Sequence, residues 1–297
     1  MGLSIGAGIT IGGGITFTPE PDPPSELDID GTFTVNADSL AVSMQADDIE
    51  FKADGTKMWV VGDAASRPKQ YTLSTAWDLS SASEDDISSF SWSHGNEYVQ
   101  GFAMSADGST VVVLDEGGNG RCYQYDLSTA FDMDSASYNT TIGDVNFGLG
   151  HFGRTNSMSG GARWYDSGNI LALIGRDRVY VSTIDCSANP YTLNGATKIA
   201  SPRMDSYDSG SYGIGATFWN GSGTLLYFLG GTFTETSGKR FTCSTAFDAS
   251  TADTDNADTF SLPAGGGPDS NHGMTHSPDY TKLFFSTGND VKRIDVS

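Results

Sequence analysis

Three carboxylates near recurring polar turns are the residues best placed to do chemistry. Asp47 and Asp48 precede the turn at Gly55, and Glu97 precedes the turn at Gly108. Cleavage of a glycosidic bond uses a general acid and a second carboxylate about 5 to 9.5 Å apart. Asp47 and Glu97 would form such a pair if their two segments meet in space, so carbohydrate hydrolysis is one function that the sequence leaves open.

The corresponding positions near the other turns favour binding over catalysis. When five polar turns are aligned on Gly55 and its equivalents, the residues eight positions earlier are Asp47, Gln100, Gly160, Gly215 and His272. This ring has one clear carboxylate and two glycines, which do not make a catalytic set. A binding mouth is the alternative, and its residues would be Asp47, Asp48, Glu97, Gln100, Asn271 and His272.

The histidines and one acidic loop are the candidate metal ligands. His272 and His276 would lie on one face of a strand, but about 13 Å apart, and no further zinc ligands are indicated. Residues 253–258 place oxygen donors at alternate positions, as a calcium loop does, yet they lack the glycine and the distal glutamate of that loop. We expect an acidic solvated loop and no cofactor, with Ca²⁺ as the one ion that the pattern leaves open.

Repeated sequence elements must position these residues. A Ser-Thr-Ala-aromatic-Asp element occurs at residues 74–78, 128–132 and 244–248, and a degenerate copy occurs at 187–191. A short polar turn between two apolar runs lies upstream of each copy, and a fifth turn lies near residue 280. Such turns predict β-hairpins, because glycine accepts positive φ without strain. The aromatic residues of the element are expected to pack between neighbouring units, and they are Trp77, Phe131 and Phe247.

Each interior repeat has room for four strands, and no segment has the pattern of a long amphipathic helix. In the second repeat we expect strands at 99–106, 109–114, 121–127 and 138–142. The last repeat is one strand short, and a strand at 30–36 would complete it and close the ring. The sequence therefore predicts an all-β, five-bladed propeller, with blades at about 40–92, 93–145, 146–202, 203–263 and 264–297.

The N-terminal residues differ in composition from the repeats. Residues 1–18 are an uncharged series rich in Gly, Ile and Thr, residues 19–27 are a proline-rich linker, and residues 28–297 are expected to form the propeller. The first segment lacks the basic region of a secretory signal and has too many glycines for a transmembrane helix. A flexible tail is one interpretation. We favour a β-forming arm that docks on neighbouring subunits through Ile5, Ile9, Ile11, Ile15 and Phe17.

Charge and cysteine content limit the partners and the stabilising chemistry. The formal net charge of −21 argues against nucleic acid and against an anionic membrane, because both are bound through Lys and Arg. Cys186 and Cys243 occupy equivalent positions in neighbouring repeats, which places them too far apart for a disulfide, and Cys122 is left over. The fold is therefore expected not to depend on disulfides.

Two segments carry a resemblance to known proteins. Residues 53–61, Ala-Asp-Gly-Thr-Lys-Met-Trp-Val-Val, precede residues 70–83, Gln-Tyr-Thr-Leu-Ser-Thr-Ala-Trp-Asp-Leu-Ser-Ser-Ala-Ser. This combination resembles propeller-type repeats of bacterial surface proteins and of virion proteins from marine tailed bacteriophages. Residues 8–16, Gly-Ile-Thr-Ile-Gly-Gly-Gly-Ile-Thr, look like the N-terminal segments of phage structural proteins. The repeat resemblance covers residues 40–297 and implies no catalytic residues.

The resemblance implies a non-enzymatic structural protein of a phage virion, in a capsid, tail or fibre. Its partners would be other virion proteins and further copies of itself, with no nucleic acid and no membrane insertion. A host-surface glycan is a further expected partner of the displayed propeller. A carbohydrate-binding or carbohydrate-active propeller is one alternative, and a bacterial surface scaffold is the other.

Overall fold

The computed structural model describes residues 10–11, 15–16, 26–62, 67–92, 99–115, 121–139, 161–175, 180–200, 202, 216–229, 237–263 and 273–297. Within these ranges the chain forms β-strands and short 3-10 turns, and it contains no α-helix. The same ranges hold no helix of the length and apolarity that crossing a membrane requires.

The first three blades are four-stranded antiparallel sheets that follow one another along the chain. Blade 1 contains β4 (Asp48–Phe51), β5 (Lys57–Val61), β6 (Lys69–Leu73) and β7 (Ala82–Asp85). Blade 2 contains β8 (Val99–Met104), β9 (Thr110–Asp115), β10 (Arg121–Leu127) and β11 (Ala136–Tyr138). Blade 3 contains β12 (Ala162–Tyr165), β13 (Ile170–Gly175), β14 (Tyr180–Asp185) and β15 (Thr197–Ala200). The first strand of each blade is the innermost.

The last two blades complete the ring. Blade 4 contains β16 (Ala216–Trp219), β17 (Leu225–Leu229), β18 (Ser237–Thr242) and β19 (Asp258–Ser261). Blade 5 contains β20 (Met274–His276), β21 (Lys282–Thr287) and β22 (Asp290–Val296), and its fourth strand is β3 (Phe33–Ala41). Phe33 pairs with Val296 and Ala41 with Asp290, so an N-terminal strand closes the ring. The predicted five-bladed propeller is confirmed.

Some strand bounds differ from the predicted ones. The closing strand begins and ends later than expected, because it follows β22 along its whole length through a register shift between Lys292 and Ile294. In blade 2 the fourth strand begins at Ala136, directly after the 3-10 turn that the Asp132 carboxylate caps. The cap therefore fixes where this strand can start.

The N-terminal region contributes a separate small ladder. The strands β1 (Thr10–Ile11) and β2 (Ile15–Thr16) pair antiparallel, with Ile11 opposite Ile15. The other predicted arm residues, Ile5, Ile9 and Phe17, lie outside the described residues. Leu27, at the end of the predicted linker, is fully buried in an apolar cluster shared by blades 4 and 5.

The core is a ring of five apolar clusters, each lying between two adjacent blades. Trp59 of blade 1 stacks on Phe102 of blade 2, with ring centroids 6.1 Å apart. Phe51 of blade 1 contacts Phe284 of blade 5 at 4.5 Å between centroids. Because each sheet is covered on both faces by its neighbours, burial of apolar surface depends on the complete ring. The three cysteines are buried in these clusters as free thiols.

A repeated aromatic residue covers the hairpin turn of its own blade. The N–H of Trp77 donates to the carbonyl of Gly55 at 3.0 Å, and a Cβ built on Gly55 would lie 2.4 Å from the indole. The same arrangement joins Gly108 to Phe131, Gly168 to Tyr191, and Gly223 to Phe247. These four glycines have positive φ, so each turn requires glycine both for its backbone and for the space that the ring occupies.

Blade 5 departs from this arrangement in a consistent way. Its sequence has no Ser-Thr-Ala-aromatic-Asp element, and Tyr280 stands at the turn position with φ of 56°.

The predicted packing of the repeated aromatics between blades is confirmed. The ring centroids of Phe131 in blade 2 and Trp59 in blade 1 are 6.2 Å apart. Phe247 of blade 4 likewise lies 5.6 Å from Tyr165 of blade 3.

Three glycine substitutions should separate backbone strain from ring contact. Gly108→Ala should lower the free energy of unfolding by about 2–4 kcal/mol. The alanine would have to adopt the positive φ of Gly108, and its Cβ would lie 2.5 Å from the Phe131 ring. Gly288 also has positive φ, but a Cβ built on it would meet no other atom within 4 Å, so Gly288→Ala should lower the free energy of unfolding by only about 1–2 kcal/mol. Gly221→Ala has neither constraint and should stay within about 0.5 kcal/mol.

Urea denaturation of the three variants measures these differences. Equal losses for Gly108→Ala and Gly288→Ala would show that the ring over the turn is not a packing constraint.

Candidate ligand-binding site

The predicted mouth residues lie where the innermost strands meet at the centre of the ring. Asp47 precedes β4, Asp48 begins it, and Gln100 lies in β8. Their side chains are at most 2% exposed. These three residues therefore reach the propeller centre as buried groups and do not line an open mouth. The remaining predicted mouth residues lie outside the described part of the chain, and they are Glu97, Asn271 and His272.

A buried ion pair between Asp48 and Arg163 occupies the centre. The guanidinium Nη1 lies 3.0 Å from Oδ2 of Asp48, and Nη2 lies 2.9 Å from Oδ1. The carboxylate also accepts the backbone N–H groups of Phe102 at 2.9 Å, Ala162 at 3.2 Å and Ile49 at 2.8 Å. Burial raises the pKa of the Asp48 carboxyl, and the charge and hydrogen bonds of Arg163 and the backbone N–H groups oppose that rise. Because five donors converge on this carboxylate, we assign the ionised form to Asp48.

Arg163 also satisfies backbone carbonyls of three other blades. Its guanidinium donates to the carbonyl oxygens of Phe102 in blade 2 at 3.1 Å and Met274 in blade 5 at 2.7 Å, and to that of Ile49 in blade 1. An innermost strand has one edge without a neighbouring strand, so its inward N–H and C=O groups need other partners. Together, Arg163 and Asp48 supply those partners for four blades.

Glycines make room for the pair. A Cβ built on Gly273 would lie 2.0 Å from Oδ1 of Asp48, and a Cβ on Gly161 would lie 3.0 Å from it. Gly161 also has φ of 106°. Gly161 and Gly273 each follow, by one residue, the positions 160 and 272 that the alignment of the polar turns predicted for the ring. Glycine at these positions marks the close approach of backbone to a buried carboxylate.

Glu50 is a second carboxylate at the centre, which the sequence did not single out. Its Oε2 lies 3.0 Å from Nη1 of Arg163 and has no hydrogen-bond partner among the described residues. Burial raises the pKa of Glu50 to about 8, Arg163 opposes the rise, and the charge of Asp48 adds to it. One guanidinium faces two carboxylates, and Asp48 holds the better hydrogen bonds. Glu50 is therefore mostly protonated at neutral pH.

A cavity of about 340 Å³ opens above Glu50 and Arg163, on the side of the hairpin turns. We call it the aromatic cup, because rings from several blades line it. These rings belong to Trp77, Phe131, Trp164, Tyr165, Tyr191, Phe218 and Tyr280, and His276 lies among them. The cup thus has an aromatic wall above a floor of one carboxylic acid and one neutralised guanidinium.

Two tyrosines of the cup bind blade 4 to its neighbours. The hydroxyl of Tyr165 accepts the N–H of Trp219, and that of Tyr280 accepts the N–H of Gly221, both at 3.1 Å. Burial raises the pKa of both phenols, so they stay neutral and keep a hydrogen to donate. Blade 4, which Arg163 does not reach through the hydrogen bonds above, is joined to the centre in this way.

His276 adds a second neutral polar group. Its ring stacks on Tyr280 with centroids 4.3 Å apart, and its Nδ1 lies 2.9 Å from the carbonyl of Ser277. Burial lowers the pKa of His276 to about 4, so the imidazole is neutral at neutral pH. With Nδ1 donating to the carbonyl, Nε2 is left as an acceptor.

The cup is better equipped to bind than to catalyse. Within the described residues, Glu50 is the carboxylic acid that lines it, while Asp48 is fully engaged by Arg163. An acid and a second free carboxylate at glycosidase spacing are therefore not assembled by these residues. The described residues also contain no group of three His, Cys, Asp or Glu placed to hold a metal ion. Residues 253–256 form hydrogen bonds with one another, through the carboxylate of Asp253.

Comparisons with known proteins bear on the fold. No protein-family model matches the sequence, and no curated protein does. The crystal structure of RRP9 WD40 repeats matches 90% of this chain and 100% of its own, with a TM-score of 0.50 and 10% identity. The structure of U3-55K matches 87% of this chain and 98% of its own, with a TM-score of 0.45 and 10% identity. A nidogen/laminin complex matches 82% of this chain and 72% of its own, with a TM-score of 0.45 and 11% identity.

At these identities the likeness to the RRP9 repeats shows the propeller-type repeat fold and nothing about activity. The comparisons give no support to the resemblance to phage virion proteins.

Removing the central guanidinium should destabilise the whole ring. Arg163→Met leaves Asp48 as a buried charge without its counter-ion and should lower the free energy of unfolding by about 3–5 kcal/mol. The double variant Asp48→Asn/Arg163→Met removes both charges and should recover part of that loss. Arg240→Met breaks the more exposed pair with Asp258 and should cost less than about 1 kcal/mol.

Chemical denaturation of these proteins, together with the single variant Asp48→Asn, gives the coupling energy of the pair. A double variant no more stable than Arg163→Met would contradict the assignment of the loss to an unpaired charge.

Glu50→Gln should remove a pH dependence of stability. The folded state keeps the Glu50 proton up to a pKa of about 8, against an ordinary glutamate pKa of 4.5. Between these values the folded state binds more protons than the unfolded chain, so the stability of the natural protein falls as pH rises, by up to about 1.4 kcal/mol per pH unit. Glu50→Gln should therefore gain stability relative to the natural protein as pH increases across this window.

Urea denaturation across the window measures that gain. Glu84→Gln, which removes an exposed carboxylate of β7, is the matched control. A stability difference between Glu50→Gln and the natural protein that is independent of pH would exclude a buried protonated carboxyl.

Proposed function

We propose that this protein is a non-enzymatic interaction propeller that presents the aromatic cup to a partner. The observation that carries the proposal is the state of the two central carboxylates. Asp48 is committed to Arg163, and Glu50 is a neutral acid among aromatic rings. Among the described residues, such a centre offers shape, stacking surface and hydrogen bonds to a bound group, and no acid/base pair to transform it.

We further propose that the propeller is displayed on a phage particle, attached through its N-terminal arm. This form of the proposal rests on the repeat resemblance, on the uncharged composition of residues 1–18 and on the proline-rich linker at 19–27. The ladder between Thr10–Ile11 and Ile15–Thr16 is consistent with a segment whose backbone takes part in β-pairing. Partner strands of other particle proteins, or of further copies of this chain, would extend that pairing.

Deletion of residues 1–24 tests the attachment. The deletion leaves Leu27 and β3 in place, so the propeller should fold with unchanged thermal stability. Mass spectrometry and immunogold labelling should detect the full chain on purified particles and should not detect the deleted form. Equal incorporation of both forms would exclude the arm as the attachment. Absence of the full chain from all particles would exclude the virion role.

A further inference from the structure

The aromatic cup contains a fixed stacking surface. The indole N–H of Trp164 donates to the carbonyl of Ala103 at 3.2 Å, and its ring meets Tyr191 edge-on with centroids 5.4 Å apart. These contacts fix the ring in the cup while leaving it only half-buried. A planar apolar face held in this way loses little conformational entropy when a flat ligand covers it.

Hydrogen-bonding groups converge on the same space from three blades. The hydroxyls of Tyr165 and Tyr280 are oriented by the backbone N–H groups that they accept, which leaves each with a hydrogen to donate. Glu50 contributes a buried oxygen that lies 3.0 Å from Nη1 of Arg163 and makes no hydrogen bond among the described residues. Buried polar atoms without partners are costly, so a ligand that supplies a partner gains that energy on binding.

The cup is close to electrically neutral. Asp48 and Arg163 cancel each other, burial keeps Glu50 and His276 uncharged at neutral pH, and burial likewise keeps the phenols neutral. Lys52 at the rim is paired with Asp54 at 2.6 Å. A charged ligand would lose its hydration in the cup without meeting a free counter-ion. The hydroxyls of a neutral ligand would also lose water, but hydrogen bonds to the cup would offset that cost.

We propose that the aromatic cup binds a neutral saccharide, stacked on Trp164 and hydrogen-bonded by Tyr165, Tyr280 and Glu50. This inference rests on the interaction role proposed above and names the ligand class. The cavity of about 340 Å³ lies within the range of small-molecule sites, roughly 300–1,000 Å³, and is large enough for a small sugar. A sugar ring presents an apolar face of C–H groups to an aromatic ring and hydroxyls around its edge, which matches the arrangement in the cup.

A glycan array followed by isothermal titration calorimetry tests the proposal with the full chain. The array should carry neutral and sialylated glycans, and tetramethylammonium should be titrated separately as a small cation. We expect binding to neutral glycans only. Trp164→Ala should weaken the affinity at least tenfold, and Tyr165→Phe and Glu50→Met, which each remove a hydrogen-bonding group, should each weaken it about threefold to tenfold. Tyr138→Phe, on the outermost strand of blade 2, is the control and should bind normally.

Tyr165→Phe also removes the acceptor for the Trp219 N–H. Each variant must therefore first show the cooperative thermal unfolding of a folded protein. Glu50→Met keeps approximately the size of the side chain, removes its hydrogen-bonding atoms and serves where Tyr165→Phe does not fold. Binding only to sialylated glycans or to tetramethylammonium would overturn the inference. So would the absence of binding to any neutral glycan, or binding that the folded cup variants leave unchanged.

The inference and the proposed attachment fail in different ways. A protein that is incorporated into particles but binds no neutral glycan keeps the attachment and loses the saccharide. A protein that binds neutral glycans through the cup but is absent from every particle keeps the saccharide and loses the virion role.

Discussion

The pairing of Arg163 with Asp48 is the interaction on which the centre of this propeller depends. Five innermost strands bring their unpaired edges together, and the backbone groups on those edges have no neighbouring strand to bond. A guanidinium offers several donors and a carboxylate several acceptors, so one ion pair can serve the edges of four blades at once. Blade 4 is joined by the hydroxyls of Tyr165 and Tyr280, and the same side chains that hold the ring together also line the cup.

Outside the centre, one local rule is repeated with variation. Each of four turns combines a glycine of positive φ with an aromatic ring that occupies the place of its missing side chain. Blade 5 has neither the glycine nor the aromatic element, and Tyr280 at that position directs its hydroxyl to blade 4 instead. The exception shows that glycine and covering ring are one unit, because the two are lost together.

The sequence could predict the blades because their signals are local. The turns, the Ser-Thr-Ala-aromatic-Asp elements and the missing strand of the last repeat all lie within short windows. The centre could not be predicted in the same way, since Arg163 and Asp48 are 115 residues apart and occur in one blade each. Repeat alignment emphasises what blades share, whereas the centre uses what they do not. A signal was nevertheless present: Arg163 is a charged residue in an apolar inner strand, directly after Gly161 and Ala162. The tyrosines of the cup carried no such signal, because an aromatic residue in a strand is usually core.

Closure by β3 also imposes an order on folding. β3 is synthesised before blades 1 to 4 and its partner β22 after them, so the hydrogen-bonding edge of β3 stays unpaired while those blades assemble. Contacts of such long sequence separation form slowly, and an unpaired edge attracts other strands in the meantime. Two nascent chains at this stage could exchange their β3 strands, each completing the ring of the other. The product would be an interlocked dimer with crossed N-terminal segments, built from the contacts of the monomer alone.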